Sequence, residues 1–350
     1  MLRLALAVLL AAVSSPAIDW ERVSPADVGL DTAKLAAARD YALTGEGSGV
    51  IVRHGKLIYS WGDLERRYDL KSTTKSIGVT ALGLAIADGK LRLDQKAVDC
   101  QPDFGVPPEQ NRDTGWLPEI TLFQLAAQTA GFDKPGGYES LLFEPGSQWS
   151  YSDGGPNWLA ECVTLAYGRD VEELLFERVF DPLGIGSDDL RWRENQYRSH
   201  EIAGVARREF GSGVHANVQA MARLGQLYLN EGEWQGRRIL PAEFVELATN
   251  PQSQGLPVYR PEEYPDASSH YGLLWWNNAD GTLSGVPHDA YWSWGLYDSL
   301  IVVIPSLDLV IARAGKGWEQ GFGSRYRRLE PFLQPIVAAA FTGRDRQPGQ

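Results

Sequence analysis

Cysteine is scarce in this chain of 350 residues, and no pattern typical of a metal site is present. Cys100 and Cys162 are the only two cysteines, too few to support a chain of this length through disulfides. The sequence leaves open whether they pair or remain free thiols. No metal-ligand spacing surrounds them, and the five histidines are scattered along the chain: His54, His200, His215, His270 and His288.

Positive charge is also in short supply. Lysine and arginine together number 33 against 45 aspartate and glutamate residues, which gives a net charge of −12. Binding to nucleic acid depends on cations that face the phosphates, and binding to an anionic membrane surface has the same requirement. We therefore expect no nucleic-acid partner and no membrane surface as a partner.

The apolar run that begins the chain is too short to span a bilayer. Residues 1–17 carry one arginine, then an apolar run from Leu4 to Val13, then the small residues Ser15 and Ala17 where a signal peptidase would read them. We expect a cleaved signal peptide here; a short buried helix is the alternative. No cysteine follows the run, so we expect a secreted or periplasmic bacterial protein without a membrane anchor.

Several common catalytic motifs are missing from the chain. No serine lies in a G-x-S-x-G elbow, and there is no H-E-x-x-H, P-loop or G-x-G-x-x-G sequence. A Ser-His-Asp triad stays open, because its members can lie far apart in sequence.

Strand-like segments near both ends enclose a mainly helical middle. "GSGVIVRHGKLIYSWG" predicts a β-hairpin with His54-Gly55 as its turn, and "SLIVVIP" and "LDLVIARA" predict further strands. "TLFQLAAQTAG", "NWLAECVTLAYG" and "VQAMARLGQLYLNEG" predict helices between them. This order predicts an α/β sheet domain built from residues 18–85 and 265–345, interrupted by a mainly helical domain of residues 86–264.

The strongest candidates for catalysis are Ser72 and Lys75 in "LKSTTKSIGVT". The pattern predicts a helix over residues 73–88 that ends at Gly89, and positions three apart share a helix face, so the hydroxyl and the amine can meet. Lys75 acts as a base only after it loses its proton, which burial and nearby positive charge favour. About half an S-x-x-K match is expected by chance in such a chain, so the motif needs support.

A second candidate motif, "FEPGSQWSYSDGG", contains Tyr151 and Asp153. A buried tyrosine beside Lys75 is a candidate general base or proton relay, and a core aromatic is the alternative. Asp153 opens "DGGPNWLAE", which is good helix-start chemistry, so a helix N-cap is its structural alternative.

The third motif is "AYWSWGLYDSLIVVIP". Its residues Ser293, Trp294 and Gly295 are candidates for one wall of a substrate site, and an aromatic-rich edge strand is the alternative. The backbone N–H of Leu296, with that of Ser72, would form an oxyanion hole. Six tryptophans lie on or near the motifs, and we expect most in the core and one or two in the site: Trp149, Trp158, Trp275, Trp276, Trp292 and Trp294.

In this order, the motifs resemble the beta-lactamase-related serine hydrolases, a group that includes class C beta-lactamases, D-Ala-D-Ala carboxypeptidases, family VIII esterases and 6-aminohexanoate-dimer hydrolases. The resemblance covers most of residues 25–340. Ser72-Thr73-Thr74-Lys75 matches the S-x-x-K motif of that family, and "EPGSQWSYSD" is similar to its P-G-x-x-x-x-Y-S-N stretch. "WGLYDSLIVVIPSLDLVIARAG" is similar to its closing hairpin.

The resemblance implies an α+β fold, with an antiparallel sheet flanked by helices and a helical domain across the cleft. It implies that Ser72 is acylated, that Lys75 and Tyr151 handle its proton, and that water hydrolyses the acyl-enzyme. It also implies that no metal and no organic cofactor takes part.

Two positions depart from the family pattern and bear on the substrate. Asp153 stands where the family usually has asparagine, and an ionised carboxylate only accepts hydrogen bonds. Ser293 stands where penicillin-recognising members carry a lysine or histidine that can bind a substrate carboxylate. We therefore expect a small ester or amide with a neutral or cationic group, and Asp153 would favour a free amine.

Two other functions stay open from the sequence. One is a beta-lactamase or D-Ala-D-Ala carboxypeptidase that acts on cell-wall peptides. The other is a non-catalytic binding protein with this fold, against which the intact Ser72, Lys75 and Tyr151 argue.

Overall fold

The computed structural model of the chain describes residues 20–318 and 326–340, so the expected signal peptide lies outside the described residues. The helices are α1 (Thr32–Leu43), α2 (Thr73–Ala87), α3 (Ala97–Cys100), α4 (Gln110–Asp113), α5 (Leu122–Ala126), α6 (Gly154–Tyr167), α7 (Val171–Leu175), α8 (Val218–Leu229), α9 (Ala242–Thr249) and α10 (Glu330–Ala340). In the two described ranges, no helix combines the length and the apolar character that crossing a membrane requires.

The strands fall into one large antiparallel sheet and several small ones. They are β1 (Ser48–Arg53), β2 (Lys56–Trp61), β3 (Tyr68–Asp69), β4 (Leu190–Trp192), β5 (Glu201–Ile202), β6 (Val205–Ala206), β7 (Val214–Ala216), β8 (Glu233–Trp234), β9 (Arg237–Arg238), β10 (Trp276–Asn277), β11 (Tyr291–Trp294), β12 (Leu300–Ile304) and β13 (Leu309–Ala314). The large sheet has the order β10-β11-β12-β13-β1-β2.

The large sheet joins the two ends of the chain. β1 pairs with β13, so that Ile51 lies opposite Ile311. Every residue of β12 and β13 is buried, as expected for central strands covered on both faces. The predicted hairpin is confirmed: β1 and β2 are joined by His54 and Gly55, both with positive φ, as a two-residue hairpin turn requires.

Helices pack on the large sheet and complete the α+β fold predicted from the resemblance. Helix α8 lies against β12 and β13, and Asn217 caps it, since its Oδ1 accepts a hydrogen bond from the Ala220 N–H at 2.9 Å. Helix α10 packs on α1, and its Phe332 contacts Trp61 of β2 edge-on at a centroid distance of 6.2 Å. The antiparallel sheet flanked by helices is therefore confirmed.

The middle of the chain is tied to the sheet segments by α2 and by a small sheet of order β3-β7-β4. In this sheet β3, from the first part of the chain, pairs with β7. Cys100, at the end of α3, is partly exposed, and Cys162, in α6, is buried; both are free thiols.

Helix α2 carries the S-x-x-K motif into the core. Its residues 73–85 are all buried, and it ends just before Gly89, whose φ of 66° provides the predicted left-handed cap. Gly78 allows the close approach of a neighbouring segment, because a Cβ there would lie 2.5 Å from the Phe210 ring. Lys75 therefore sits where few water molecules reach it.

Candidate active site

A cavity of about 260 Å³ opens at the N-terminal end of α2. All three motifs singled out from the sequence contribute to its lining: Ser72, Tyr151, Asp153, Trp294, Gly295 and Leu296. The fold therefore brings together residues that lie more than 200 positions apart in the chain.

Ser72 and Lys75 are in hydrogen-bonding contact. The Lys75 Nζ lies 3.1 Å from the Ser72 Oγ, and only 1% of the lysine side chain is exposed. The same Nζ donates to the Gly211 carbonyl at 3.0 Å and to the Asp153 carboxylate. A neutral amine has two N–H donors and one lone pair, so it would donate to these two acceptors and accept the Ser72 proton.

The two threonines of the motif anchor the start of α2. The Thr73 hydroxyl donates to the Ser299 carbonyl at 2.6 Å, and the Thr74 hydroxyl accepts from the Val214 N–H at 3.1 Å. These contacts tie the nucleophile candidate Ser72 to strands on both sides of the helix, which limits its freedom to move away from Lys75.

The Tyr151 ring forms part of the cavity wall beneath two lysines. The Nζ atoms of Lys75 and Lys134 lie 4.8 Å and 5.1 Å from the centre of this ring, within the range of cation–π contact. The ring is also stacked on Tyr264 and Trp276, with centroid distances of 5.1 Å and 5.8 Å. Tyr151 therefore packs against other aromatic residues of the core and also lines the cavity.

Gln128 holds the Tyr151 segment in place, a role that the sequence reasoning missed. Its side-chain Oε1 accepts from the Ser152 N–H at 2.8 Å, and its Nε2 donates to the Ser152 carbonyl at 3.0 Å. Its own carbonyl accepts from the Ser150 N–H at 3.0 Å. The sequence placed this glutamine in "TLFQLAAQTAG", a predicted helix, and assigned it no function.

Asp153 does not act as the helix cap that its position suggests. Its side chain makes no capping bond to α6; one oxygen accepts from the Lys75 Nζ and the other from the Lys134 Nζ, the latter at 2.7 Å. Burial raises the pKa of Asp153, but the charges of the two lysines outweigh burial and lower its pKa below the usual value.

Asp153 lines the cavity, and each of its carboxylate oxygens accepts a hydrogen bond from one lysine. Each oxygen keeps a second lone pair for another donor, so the binding of a substrate amine by Asp153 stays a prediction. Lys134 lies in the loop between α5 and α6, and no spacing in the sequence indicates that its side chain reaches Asp153.

Two predicted site residues, Lys75 and Ser293, lie outside the cavity lining; Lys75 still contacts Ser72, whereas Ser293 does not. Ser293 is fully buried; its hydroxyl accepts from the Ile301 N–H at 2.9 Å and donates to the Thr73 hydroxyl at 3.3 Å. Its side chain therefore connects β11 to β12 and to the start of α2. The expectation that it contacts the substrate is not met, because alternation along the strand turns it away from the cavity.

The lack of a side chain at Gly295 lets the end of β11 lie close to the segment that precedes Ser72. A Cβ at Gly295 would lie 2.1 Å from the Leu70 carbonyl oxygen, so no larger residue fits without displacement. Its N–H donates to the Ser299 carbonyl at 2.9 Å, and the next residue, Leu296, lies at the cavity with 66% of its surface exposed.

Two of the six tryptophans near the motifs line the cavity. Trp276 and Trp294 do so together with Tyr264, and the Trp294 Nε1 donates to Asp298 at 2.9 Å. The other four lie buried outside the cavity lining: Trp149, Trp158, Trp275 and Trp292. Three aromatic rings thus form one wall of the cavity.

A comparison with known protein families identifies the family of this chain. The sequence profile described as Beta-lactamase matches residues 43–329, which is most of the chain. The chain belongs to the beta-lactamase family. The match confirms the resemblance inferred from the motifs, and the chain is a beta-lactamase-family hydrolase.

Solved structures of other family members share the fold at low sequence identity. A family VIII carboxylesterase is 16% identical, with a TM-score of 0.66 over 89% of this chain and 99% of that chain. A penicillin-binding protein homolog from Caulobacter crescentus is 18% identical, with a TM-score of 0.64 over 87% and 97% of the two chains. A beta-lactamase from Mycobacterium bovis is 20% identical, with a TM-score of 0.63 over 87% and 97%.

One curated protein is related by sequence, an uncharacterized protein of Alkalihalophilus pseudofirmus. It is 23% identical over 229 residues, which are 60% of this chain and 64% of that protein. The match therefore spans less than two thirds of the length of this relative.

Proposed function

We propose that this beta-lactamase-family hydrolase is a serine hydrolase that cleaves a small ester or amide through an acyl-enzyme. The contact that supports this proposal is the 3.1 Å distance between the Lys75 Nζ and the Ser72 Oγ, with the lysine buried at the edge of the cavity. Neutral Lys75 takes the proton of Ser72 while the Oγ bonds to the carbonyl carbon of the substrate.

The rest of the cycle follows from the same cavity. The proton leaves Lys75, directly or through Tyr151, for the departing alkoxide or amine as the scissile bond breaks. Water then attacks the acyl carbon, gives a proton to the same base, and releases the acid and free Ser72. We propose that the backbone N–H groups of Ser72 and Leu296 bind the negative charge on the carbonyl oxygen in both steps.

The shape of the wall supports an apolar group on one side of the scissile bond. Tyr264, Trp276 and Trp294 present aromatic surface to the cavity, on which an acyl chain or an aromatic alcohol can pack. We further propose that the protein acts outside the cytoplasm, as its first 17 residues suggest.

A probe of the nucleophile tests the proposal. We expect a fluorophosphonate to label the wild-type protein, and we expect turnover of short-chain p-nitrophenyl esters. Ser72→Ala should lose labelling and lower kcat by about a thousandfold or more, because the bond-forming atom is removed.

Ser212→Ala is the matched control. Ser212 lines the same cavity, but its hydroxyl bonds to Arg193 and Glu209 rather than to Lys75, so labelling should persist. No labelling of the wild type would contradict the enzymatic proposal. Faster turnover of nitrocefin than of any ester would instead support a beta-lactamase.

A further inference from the structure

The cations that line the cavity are paired in an uneven way. Three of these cations each pair with a different carboxylate: Lys71 with Asp69 at 2.5 Å, Arg328 with Asp298 at 2.7 Å, and Arg193 with Glu209. The fourth, Lys134, pairs with Asp153, and this carboxylate also pairs with the buried Lys75. With both lysines charged, this group of three carries one positive charge, and no second carboxylate pairs with either lysine within residues 20–318 and 326–340.

The surroundings of the two lysines decide which of them can be neutral. The side chain of Lys75 is 1% exposed, whereas that of Lys134 is 35% exposed. Desolvation disfavours the charged form more strongly at the buried position. Lys75 is therefore the more desolvated of the two, and Lys134 is the partner of Asp153 that stays in contact with solvent.

Removing Lys134 would change the state of Lys75. Asp153 would then be a mostly buried carboxylate with Lys75 as its only lysine partner, and a buried charge without a counterion is strongly unfavourable. Lys75 would be held as an ammonium ion, which has no lone pair to accept the proton of Ser72. An asparagine at position 153 would not impose this requirement, because it carries no charge.

We propose that Lys134 is a positioning residue for the reaction: as the second counterion of Asp153, it leaves Lys75 free to act as the neutral base for Ser72. This inference rests on the proposed serine-hydrolase function and names a residue beyond Ser72, Lys75 and Tyr151. It explains how an aspartate is compatible with catalysis at a position next to the base.

Other charged or titratable groups lie near these lysines, and the experiment has to distinguish their effects from those of the lysines. Both ammonium groups lie over Tyr151, and Tyr271 is packed against that ring, with its pKa raised well above the usual value by burial. Asp133 is paired with Arg260 at 3.1 Å.

Glu139 is the neighbour whose titration most needs a control. It lies beside Gly154, accepts a hydrogen bond from the Gly137 N–H at 3.1 Å, and has its pKa raised by burial. Its raised pKa brings its titration closer to neutral pH, where it could be mistaken for the base. Glu139→Gln therefore belongs in the experiment.

The test is the pH profile of kcat/KM for ester hydrolysis, from about pH 5 to about pH 10. In Lys134→Met we expect the acid limb to move up by about one pH unit or more, so that activity at neutral pH falls about tenfold and recovers at alkaline pH. Lys134→Arg keeps the positive charge, so the acid limb of its pH profile should match that of the wild type. In the double variant Asp153→Asn/Lys134→Met the acid limb should return toward its wild-type position.

The controls make the outcome decisive. Glu139→Gln should leave the limb in place; if it moves the limb, Glu139 is the titrating group and the inference is overturned. A uniform loss of kcat/KM at all pH values in Lys134→Met, or a double variant no better than this single one, would also overturn it. If Lys134→Met does not fold, the pH profiles of Lys134→Arg and of the double variant are compared with that of the wild type instead.

Labelling separates this inference from the proposed function. Each variant is treated with the fluorophosphonate at alkaline pH and its fold is checked by thermal unfolding. Absent labelling of the wild type refutes the serine-hydrolase proposal itself. Labelling of wild type and Lys134→Met alike, with an unmoved acid limb, refutes only the role of Lys134.

Discussion

At the scale of single residues, a buried arginine supports the loop that borders the cavity. Arg313, in β13, is fully buried and donates to the carbonyls of Tyr297 at 2.6 Å and Asp298 at 3.1 Å, in the loop after Gly295. It also donates to the carbonyls of Gly45 and Lys316. Burial lowers the pKa of Arg313 to about 10, so it remains charged at neutral pH.

Replacement of Arg313 should therefore be costly. Arg313→Met leaves several buried carbonyls without their donor, and we expect the free energy of unfolding to fall by about 3 kcal/mol or more. Urea unfolding measures this change. Arg92→Met is the control, since the Arg92–Asp94 pair is mostly exposed and should contribute less than about 1 kcal/mol. Equal losses in the two variants would contradict the assigned role.

At the scale of secondary-structure elements, the approach of α2 to its neighbours sets the position of Lys75. Gly78 faces the Phe210 ring, and the next residue, Gly211, supplies the carbonyl that accepts from Lys75. The Gly211 N–H in turn donates to Asn157 of α6 at 2.8 Å. Close packing at Gly78 thus holds in place the Gly211 carbonyl that accepts from Lys75.

A methyl group at this point should disturb both stability and activity. In Gly78→Ala the new Cβ would meet Phe210 at 2.5 Å, and we expect a loss of about 1–3 kcal/mol from overpacking. Because Phe210 has to move together with Gly211, kcat/KM should fall by about tenfold or more. Steady-state kinetics and denaturation of the same samples measure the two effects.

Gly225→Ala in α8 is the matched control for Gly78→Ala. Its Cβ would meet Val310 at 2.6 Å, a similar clash, but against the sheet and away from the cavity lining. We expect a comparable loss of stability with the activity of the folded protein retained. An equal loss of activity in both variants would show that packing near Lys75 has no special importance.

At the scale of the whole molecule, carboxylates with cationic partners link distant parts of the chain. Asp88, at the C-terminal end of α2, accepts from Arg178 at 2.9 Å and from Tyr167 of α6 at 2.7 Å. The hydrogen bond from Arg178 lowers the pKa of Asp88 below its usual value. The contribution of such a group is present above the unfolded pKa of about 4 and is lost as the pH falls through the folded pKa.

The pH dependence of this link can be measured directly. We expect Asp88→Asn to lower the free energy of unfolding by about 0.5–1 kcal/mol at pH 7, a modest value because the group is partly exposed. At about pH 3 the difference from the wild type should be smaller than at pH 7, and it should vanish below the folded pKa, where Asp88 is protonated in both states. Asp94→Asn, at a mostly exposed position, is the control. A difference that is the same at both pH values would contradict the assignment.

Local features of this chain were predictable from its sequence because they depend on neighbouring residues. The His54-Gly55 turn, the Gly89 cap and the helical spacing that places Ser72 beside Lys75 all follow from backbone preferences over a few positions. The family and its α+β fold followed from the order of such local motifs along most of the chain.

Only the tertiary structure decided the roles of Asp153 and Ser293. The sequence correctly marked both as departures from the family pattern, but Lys134 reaches Asp153 from a separate loop, and Ser293 faces Thr73 rather than the cavity. These contacts depend on how a loop and a strand pack against α2, which no local pattern specifies. Residue types and local spacing are therefore enough to name the candidate groups, whereas the packing of distant segments sets the position and the partners of each.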